Sequence, residues 1–361
     1  MRLGVFLSFG VWFLLTGGFS QHTDKQGTCS ARGACRMGID LTNVSSVALY
    51  NLKIQSTGGD GLFARGVTDG VFSKLVLDDN FRQGCSISSG RNLLFEDSVF
   101  SNTGVGQAAS PACGVDMEPD HGNDALTNIT FRRCVAANNT GCGFSISPHN
   151  LLSPPFNGRS REISVRFEDS SVDNRGQLTQ EQCRLQPGGC GWTQRAGWVL
   201  SGFPPSITGS VNISGGTSVG GEGPMVTFQA YGGGCKATLS NLSLSNAGIG
   251  VGDPPAPVVL LAPTSTGKYE KTYGSYRYGG VAFFNVSVAL QAEAPAYEKQ
   301  GHHRAWLEVD SPHGLSDLSL NASMRALPGS GGCALVKEEL AQATKPWNNV
   351  TLSHSCTNAP A

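Results

Sequence analysis

Charge is scarce in this chain of 361 residues. Asp, Glu, Lys and Arg make up only 15%, and 26 basic against 27 acidic residues leave a net charge of −1. Neither nucleic acid nor an anionic membrane surface would find a basic face here. Beyond the first twenty residues no apolar run is long enough to span a bilayer. A P-loop, a dinucleotide fingerprint, a nucleophile elbow and a His-Glu-x-x-His pair are all missing. Glycine is plentiful, at 48 residues, but it lacks the strict period of collagen. A turn-rich β protein is the class that remains.

What is present is a repeat between Val47 and Asn174. Apolar residues stand two apart, a bend follows, and a second alternating pair leads to an Asn-like residue. One copy is Val47, Leu49, Leu52, Ile54 and Ser56, and the next Gly70, Phe72, Leu75, Leu77 and Asp79. Later copies are Leu93, Phe95, Ser98, Phe100, Asn102; Ile129, Phe131, Cys134, Ala136, Asn138; and Val165, Phe167, Ser170, Val172, Asn174. Between copies lie Gly-led strands beginning at Gly61, Gly84, Gly114 and Gly143, and a fifth reaches Gly197 after an insertion. Alternation broken by bends describes short strands rather than helix turns. Spacings of 23 residues (Gly61 to Gly84) and 36 (Leu93 to Ile129) suit the coils of a solenoid with variable loops.

The expected fold is therefore all-β, a single-stranded right-handed parallel β-helix over residues 46–361. Phe72, Phe95, Phe131 and Phe167 should form one internal column, and Asp79, Asn102, Asn138 and Asn174 another with amide hydrogen bonds along it. Residues 21–45 are read as an N-terminal cap. Residues 175–195 are read as a disulfide-pinned surface loop. After residue 205 the repeats weaken, and a separate β-sandwich there is the alternative. Residues 264–278 are the most prominent later loop, and residues 337–343 suit a short helix.

Residues 1–20 read as a secretory signal peptide: Arg2, the apolar run Leu3 to Leu15, then Gly18-Phe19-Ser20 before Gln21. Export would leave no membrane attachment after cleavage and would favour disulfides among the 11 cysteines. Proximity pairs Cys29 with Cys35, Cys183 with Cys190, and Cys333 with Cys356. Register adds Cys113 with Cys142, because each precedes a strand-leading Gly in adjacent coils and neighbouring strands lie about 4.8 Å apart. Cys85 and Cys134 fall in inward columns and read as buried thiols. Eight sequons, at Asn43, Asn128, Asn138, Asn212, Asn241, Asn285, Asn321 and Asn349, read either as glycosylation sites or as strand register.

Within each Gly-led strand the residues two and four after Gly should face solvent. Those positions hold Phe63 and Arg65, Ser86 and Ser88, Asp116 and Glu118, Ser145 and Ser147. Asp120 and His149 follow in register, with His121 beside them. Asp116, Glu118 and His149 are the candidate catalytic residues, and Asp120, His121 and Arg65 the candidate substrate contacts. Carboxylates with His supply an acid, a base or cation ligands, so Ca²⁺ is a possible cofactor. Asp78 and Arg82 read as structural, at a different corner, and His302, His303 and His313 as ordinary loop residues.

On Asp79-Asn-Phe-Arg-Gln-Gly-Cys-Ser-Ile87, Asn92-Leu-Leu-Phe-Glu-Asp97, Cys113-Gly-Val-Asp-Met-Glu-Pro-Asp120 and Asn138-Asn-Thr-Gly-Cys-Gly-Phe-Ser-Ile146, the chain resembles the pectin-lyase-like superfamily of right-handed parallel β-helices. It is most similar there to the carbohydrate-binding and sugar-hydrolase β-helix repeats. That resemblance implies extracellular polysaccharide chemistry on an outward sheet. The polygalacturonase signatures Asn-Thr-Asp, Gly-His-Gly and Arg-Ile-Lys are absent, and no lyase Lys or Arg base stands near the acids. Three expectations follow: a glycoside hydrolase using Asp116 and Glu118, a uronate lyase or epimerase, or a non-catalytic glycan-binding or structural solenoid.

Overall fold

The computed structural model describes residues 3–7, 11–15, 37–104, 111–154, 161–185, 195–221, 223–245, 258–262, 278–290, 307–309, 315–326 and 348–358. From Ile39 onward the described strands pair in parallel, each with a strand one repeat further along, in three ladders. The first runs Ile39–Thr42, residues 62–65, residues 85–89, Val115–Met117, Phe144–Ile146, then Trp198–Phe203 and onward to Leu307–Val309. A second begins at residues 48–50 and passes through residues 70–73, 90–96 and 126–132 to Arg161–Glu168 and Ile207–Ser214. The third joins Lys53–Gln55, Val76–Asp78, Val99–Ser101, Val135–Ala137, Ser171–Asn174 and Thr217–Gly220. Both latter ladders reach Asn348–Asn358. The first coil starts within the stretch expected as a cap, since Ile39–Thr42 is already a ladder strand.

Glycine leads the first-ladder strands because nothing larger fits. A Cβ on Gly84 would lie 2.5 Å from the carbonyl oxygen of Gly114 in the next coil, and one on Gly114 2.8 Å from that of Gly143. The bends between ladders need φ > 0, which Asn and Asp tolerate best. Asp69, Asn92 and Asn128 hold one such corner and Asp79, Asn102 and Asn138 another, all with φ between 51° and 56°.

Inside, the four phenylalanines stack as expected. Ring centroids are 4.4 Å apart for Phe72–Phe95, 4.7 Å for Phe95–Phe131 and 5.2 Å for Phe131–Phe167. Beside them Ser98, Cys134 and Ser170 occupy one column, where each side chain meets backbone. Ser170 Oγ accepts from the Cys134 amide at 3.1 Å, and the Cys134 thiol donates to Phe95 O at 3.5 Å. Cys134 and Cys85 are buried thiols, as their inward register requires, and Cys235 is a third.

The expected amide column is corrected. Asp79 accepts from Ser56 Oγ, Asn102 turns to Asp78, and Asn138 accepts from the Gly176 amide. Asn174 is buried within its strand. Amide ladders form at the other corners, where Asn128 donates to Asn92 at 3.1 Å, Asn92 to Asp69 at 2.8 Å and Asn285 to Asn241 at 2.8 Å. Residues 175–195 also differ from the expected loop, because Gln180–Leu185 is a helix. Thr179 and Gln182 close a reciprocal capping box around its first turn, with bonds of 2.7 and 3.1 Å.

Leu3–Leu7 and Val11–Leu15, expected as the core of a signal peptide, pair as an antiparallel hairpin with Phe6 opposite Ala48. Among the described residues no helix is long and apolar enough to cross a membrane. Residues 264–278, apart from Tyr278, and residues 337–343 lie outside the described residues.

Candidate functional site

The site grows from one register position, the residue before each strand-leading Gly. Gly61 donates to Gln83 O, Gly84 to Cys113 O and Gly114 to Cys142 O, so Asp60, Gln83, Cys113 and Cys142 are successive members of one column. Cys113 and Cys142 are disulfide-bonded, with Cα atoms 4.4 Å apart, as register alone predicts. The same logic extends to Asp60 and Gln83. Cys29, Cys35, Cys190 and Cys333 lie outside the described residues, as do the side chains of Cys183 and Cys356.

Asp116 occupies the outward position of its strand, paired in register with Ser86 on one side and Ser145 on the other. It is nevertheless only 4% exposed, which corrects the expected solvated face. The Asp60–Gln83 column reaches over it: Gln83 Nε2 donates to Asp116 Oδ2 at 3.1 Å. Burial is the largest influence on Asp116 and the neighbouring Glu118 charge adds to it, together outweighing Arg82 and raising its pKa to about 7. Asp60 is raised to about 6, again by burial first, against the opposing charge of Arg82. Arg82 Nη1 lies 3.3 Å from Asp60 Oδ2.

A cavity of about 650 Å³ opens at this face. The carboxylates of Asp40, Asp116, Glu118 and Asp120 line it with the guanidinium of Arg82, and Phe63 and Met37 supply apolar wall. Ser86 and Ser88 also line it; the Ser86 hydroxyl faces the Asp60 carboxyl group, and the buried Ser88 hydroxyl lacks a hydrogen-bond partner. Arg82 therefore belongs to the site rather than to a separate structural corner. Two residues ahead of Gly84, it stands on the turn that enters the ladder, a position whose direction the strand periodicity does not specify.

The remaining candidates divide. Asp120 joins Asp116 and Glu118 at the cavity, whereas His121 turns to Arg65, whose guanidinium lies 3.2 Å from its Nδ1. Asp124 holds this loop by accepting from the amides of Asp120 at 2.9 Å and His121 at 2.8 Å. Gly122 seats it, since a Cβ there would come within 2.0 Å of Ser153 O. His149 is buried in the 3₁₀ turn Pro148–Leu152 and does not line the cavity. Among the described residues no three His, Cys, Asp or Glu side chains gather in a way that could hold a metal ion, so Ca²⁺ gains no support from their placement.

Of the sequons, Asn43, Asn128, Asn241 and Asn285 are exposed and Asn138 and Asn212 half-buried, while the side chains of Asn321 and Asn349 lie outside the described residues.

Parallel ladders, left-handed corners and an internal aromatic stack define a parallel β-helix protein. Residues 21–153 are similar to the family described as "Right handed beta helix region", a likeness with which the parallel ladders and the pectin-lyase-like superfamily are consistent. No curated protein and no solved structure matches the chain.

Proposed function

We propose that this protein is a secreted glycoside hydrolase that works in the cavity around Asp116. A buried carboxyl group held near neutrality beside a second carboxylate carries this reading. A general acid must keep its proton at working pH and still be able to lose it. Asp116 would protonate the leaving glycosidic oxygen as the anomeric C–O bond breaks. Glu118 would take a proton from the water that attacks the anomeric carbon, so the products are two hydroxyl-bearing sugars. Outward residues two apart on a strand lie roughly 6.5–7 Å apart, within the separation that admits a water in inverting enzymes.

The registers favour one solenoid continuing to the C-terminal strand, right-handed as in the family that residues 21–153 resemble, and the Cys113–Cys142 bond fits an exported protein. Removal of residues 1–20 on export would take the N-terminal hairpin with it. Asn43, Asn128, Asn241 and Asn285 are the sequons best placed for glycans. The test is a glycan array read for binding and for reducing-end release, with Asp116→Asn alongside. Release by the wild type and none by the variant, at equal thermal stability or better, is expected. Equal release by both would remove Asp116 from catalysis, and binding without release by either would leave a lectin-like solenoid.

A further inference from the structure

We propose that the cavity selects glycans that carry free amino groups and turns away polyuronates, an inference that rests on the glycan-active reading above. Four carboxyl groups line the cavity, from Asp40, Asp116, Glu118 and Asp120, of which Asp116 is the proton-bearing acid and the other three carry the negative charge, and Arg82 is the sole basic residue among its described lining. That one cation is already committed, because its guanidinium lies 3.3 Å from the wholly buried carboxylate of Asp60. Arg65, the next basic group along this face, points to His121 instead. A chain with a net charge of −1 has thus concentrated acid at one spot. An incoming uronate would meet like charge with no free cation to offset it.

Charge alone would leave an ordinary solvated acidic patch. The second observation is that Ser88, 3% exposed, lines the cavity with a hydroxyl that has no hydrogen-bond partner, while the Ser86 hydroxyl beside it faces the buried carboxyl group of Asp60. Buried polar atoms without partners are uncommon, and one at a cavity wall offers a bond to a polar group that enters the cavity. An ammonium offers three donors and no acceptor, which suits carboxylates and hydroxyl lone pairs together. A sugar carboxylate offers only acceptors, and an acetamide replaces the cation by a neutral group. Ring hydroxyls satisfy Ser88 in any of these sugars, so the amine is what separates them.

The experiment measures binding of three length-matched oligosaccharides, of glucosamine, N-acetylglucosamine and galacturonate, at near-neutral pH, where a large share of the amines is still charged and Asp60 is ionised beside Arg82. The glucosamine chain should bind roughly tenfold or more tightly than its acetylated counterpart, a difference that added salt reduces. The double variant Asp40→Asn/Asp120→Asn changes two exposed carboxylates outside the proposed acid–base pair. It should abolish that preference, bringing the glucosamine and acetylated chains to equal affinity. Tightest binding of galacturonate, or equal binding of all three, would overturn the inference and leave the glycan-active reading standing. Binding of none of them, with no activity on a wider array, would overturn both.

Discussion

Gln83 links Asp116 to the disulfide corner. Its Nε2 donates to Asp116 Oδ2 at 3.1 Å, while its Oε1 accepts from the amide of Cys113 at 2.8 Å. The amide is fully buried and both ends are used, so it holds one rotamer and fixes the direction of the carboxyl group. Gln83 is thus a positioning residue for the proposed acid.

Replacing Gln83 by Met keeps the side-chain length and removes both bonds. Two buried groups then lose partners, at about 1–3 kcal/mol each. Loss of an N–H donor also disfavours the ionised carboxylate, so the pKa of Asp116 should rise further. In turnover, the alkaline limb of the pH profile should move to higher pH while kcat falls. A fall in stability with an unmoved limb would make Gln83 structural only.

Asp116 itself should destabilise the folded state at neutral and alkaline pH. Its folded pKa, near 7, lies above the ordinary carboxylate value of 3.8. Between those values the folded protein holds a proton that the unfolded chain has released, so stability falls as pH rises through that window. Asp116→Asn removes the ionisable group and keeps an acceptor for Gln83. The variant should be more stable than wild type at pH 8, by on the order of 1–4 kcal/mol, and nearly equal to it near pH 4. Melting temperatures at the two pH values check this, and a variant less stable at pH 8 would contradict it.

Arg82 tests the other buried acid. Without its guanidinium, the carboxylate of Asp60 is left buried and unpaired, a defect that costs about 3–5 kcal/mol. Asp60 titrates at about 6 with Arg82 present, and removing that positive charge raises the value. Arg82→Met should therefore lose most stability at pH 8 and much less at pH 5, where Asp60 is protonated in the folded variant. Equal losses at both would show that Arg82 acts through packing.

The strand register was legible because period-two alternation reports which side chains point inward. The Phe72–Phe167 stack, the Cys113–Cys142 pairing and the equivalence of Phe144 with Trp198 across the insertion all follow from it. Alternation says nothing of what covers an outward residue. Asp116 points outward yet is buried, because Gln83 comes over it from a turn. Asp60 and Arg82 were missed for the same reason, though Asp60 could have been found by extending the pre-glycine column from Cys113 towards the N-terminus. The αL corners misled the reading of the Asn column, since a left-handed residue aims its side chain at a neighbouring backbone or Asp as readily as along the stack.

The disulfide is where fold and site meet, and its removal is the last prediction. Cys113 and Cys142 are 29 residues apart, and bridging them restricts the unfolded chain, which stabilises the fold by roughly 2–4 kcal/mol. Ala fits both positions, since the equivalent position in the next coil is already Ala196, buried in the same small cluster. The double variant Cys113→Ala/Cys142→Ala should therefore fold, with Tm lowered in proportion. The amide of Cys113 that holds Gln83 is backbone and remains, as do the ladder bonds Gly84–Cys113 and Gly114–Cys142, at 3.1 and 2.9 Å. At temperatures well below its Tm the variant should keep the pH profile of the wild type, because the ladder still positions Gln83. A shifted profile with little loss of Tm would mean that the disulfide, rather than the ladder, sets the geometry at Asp116.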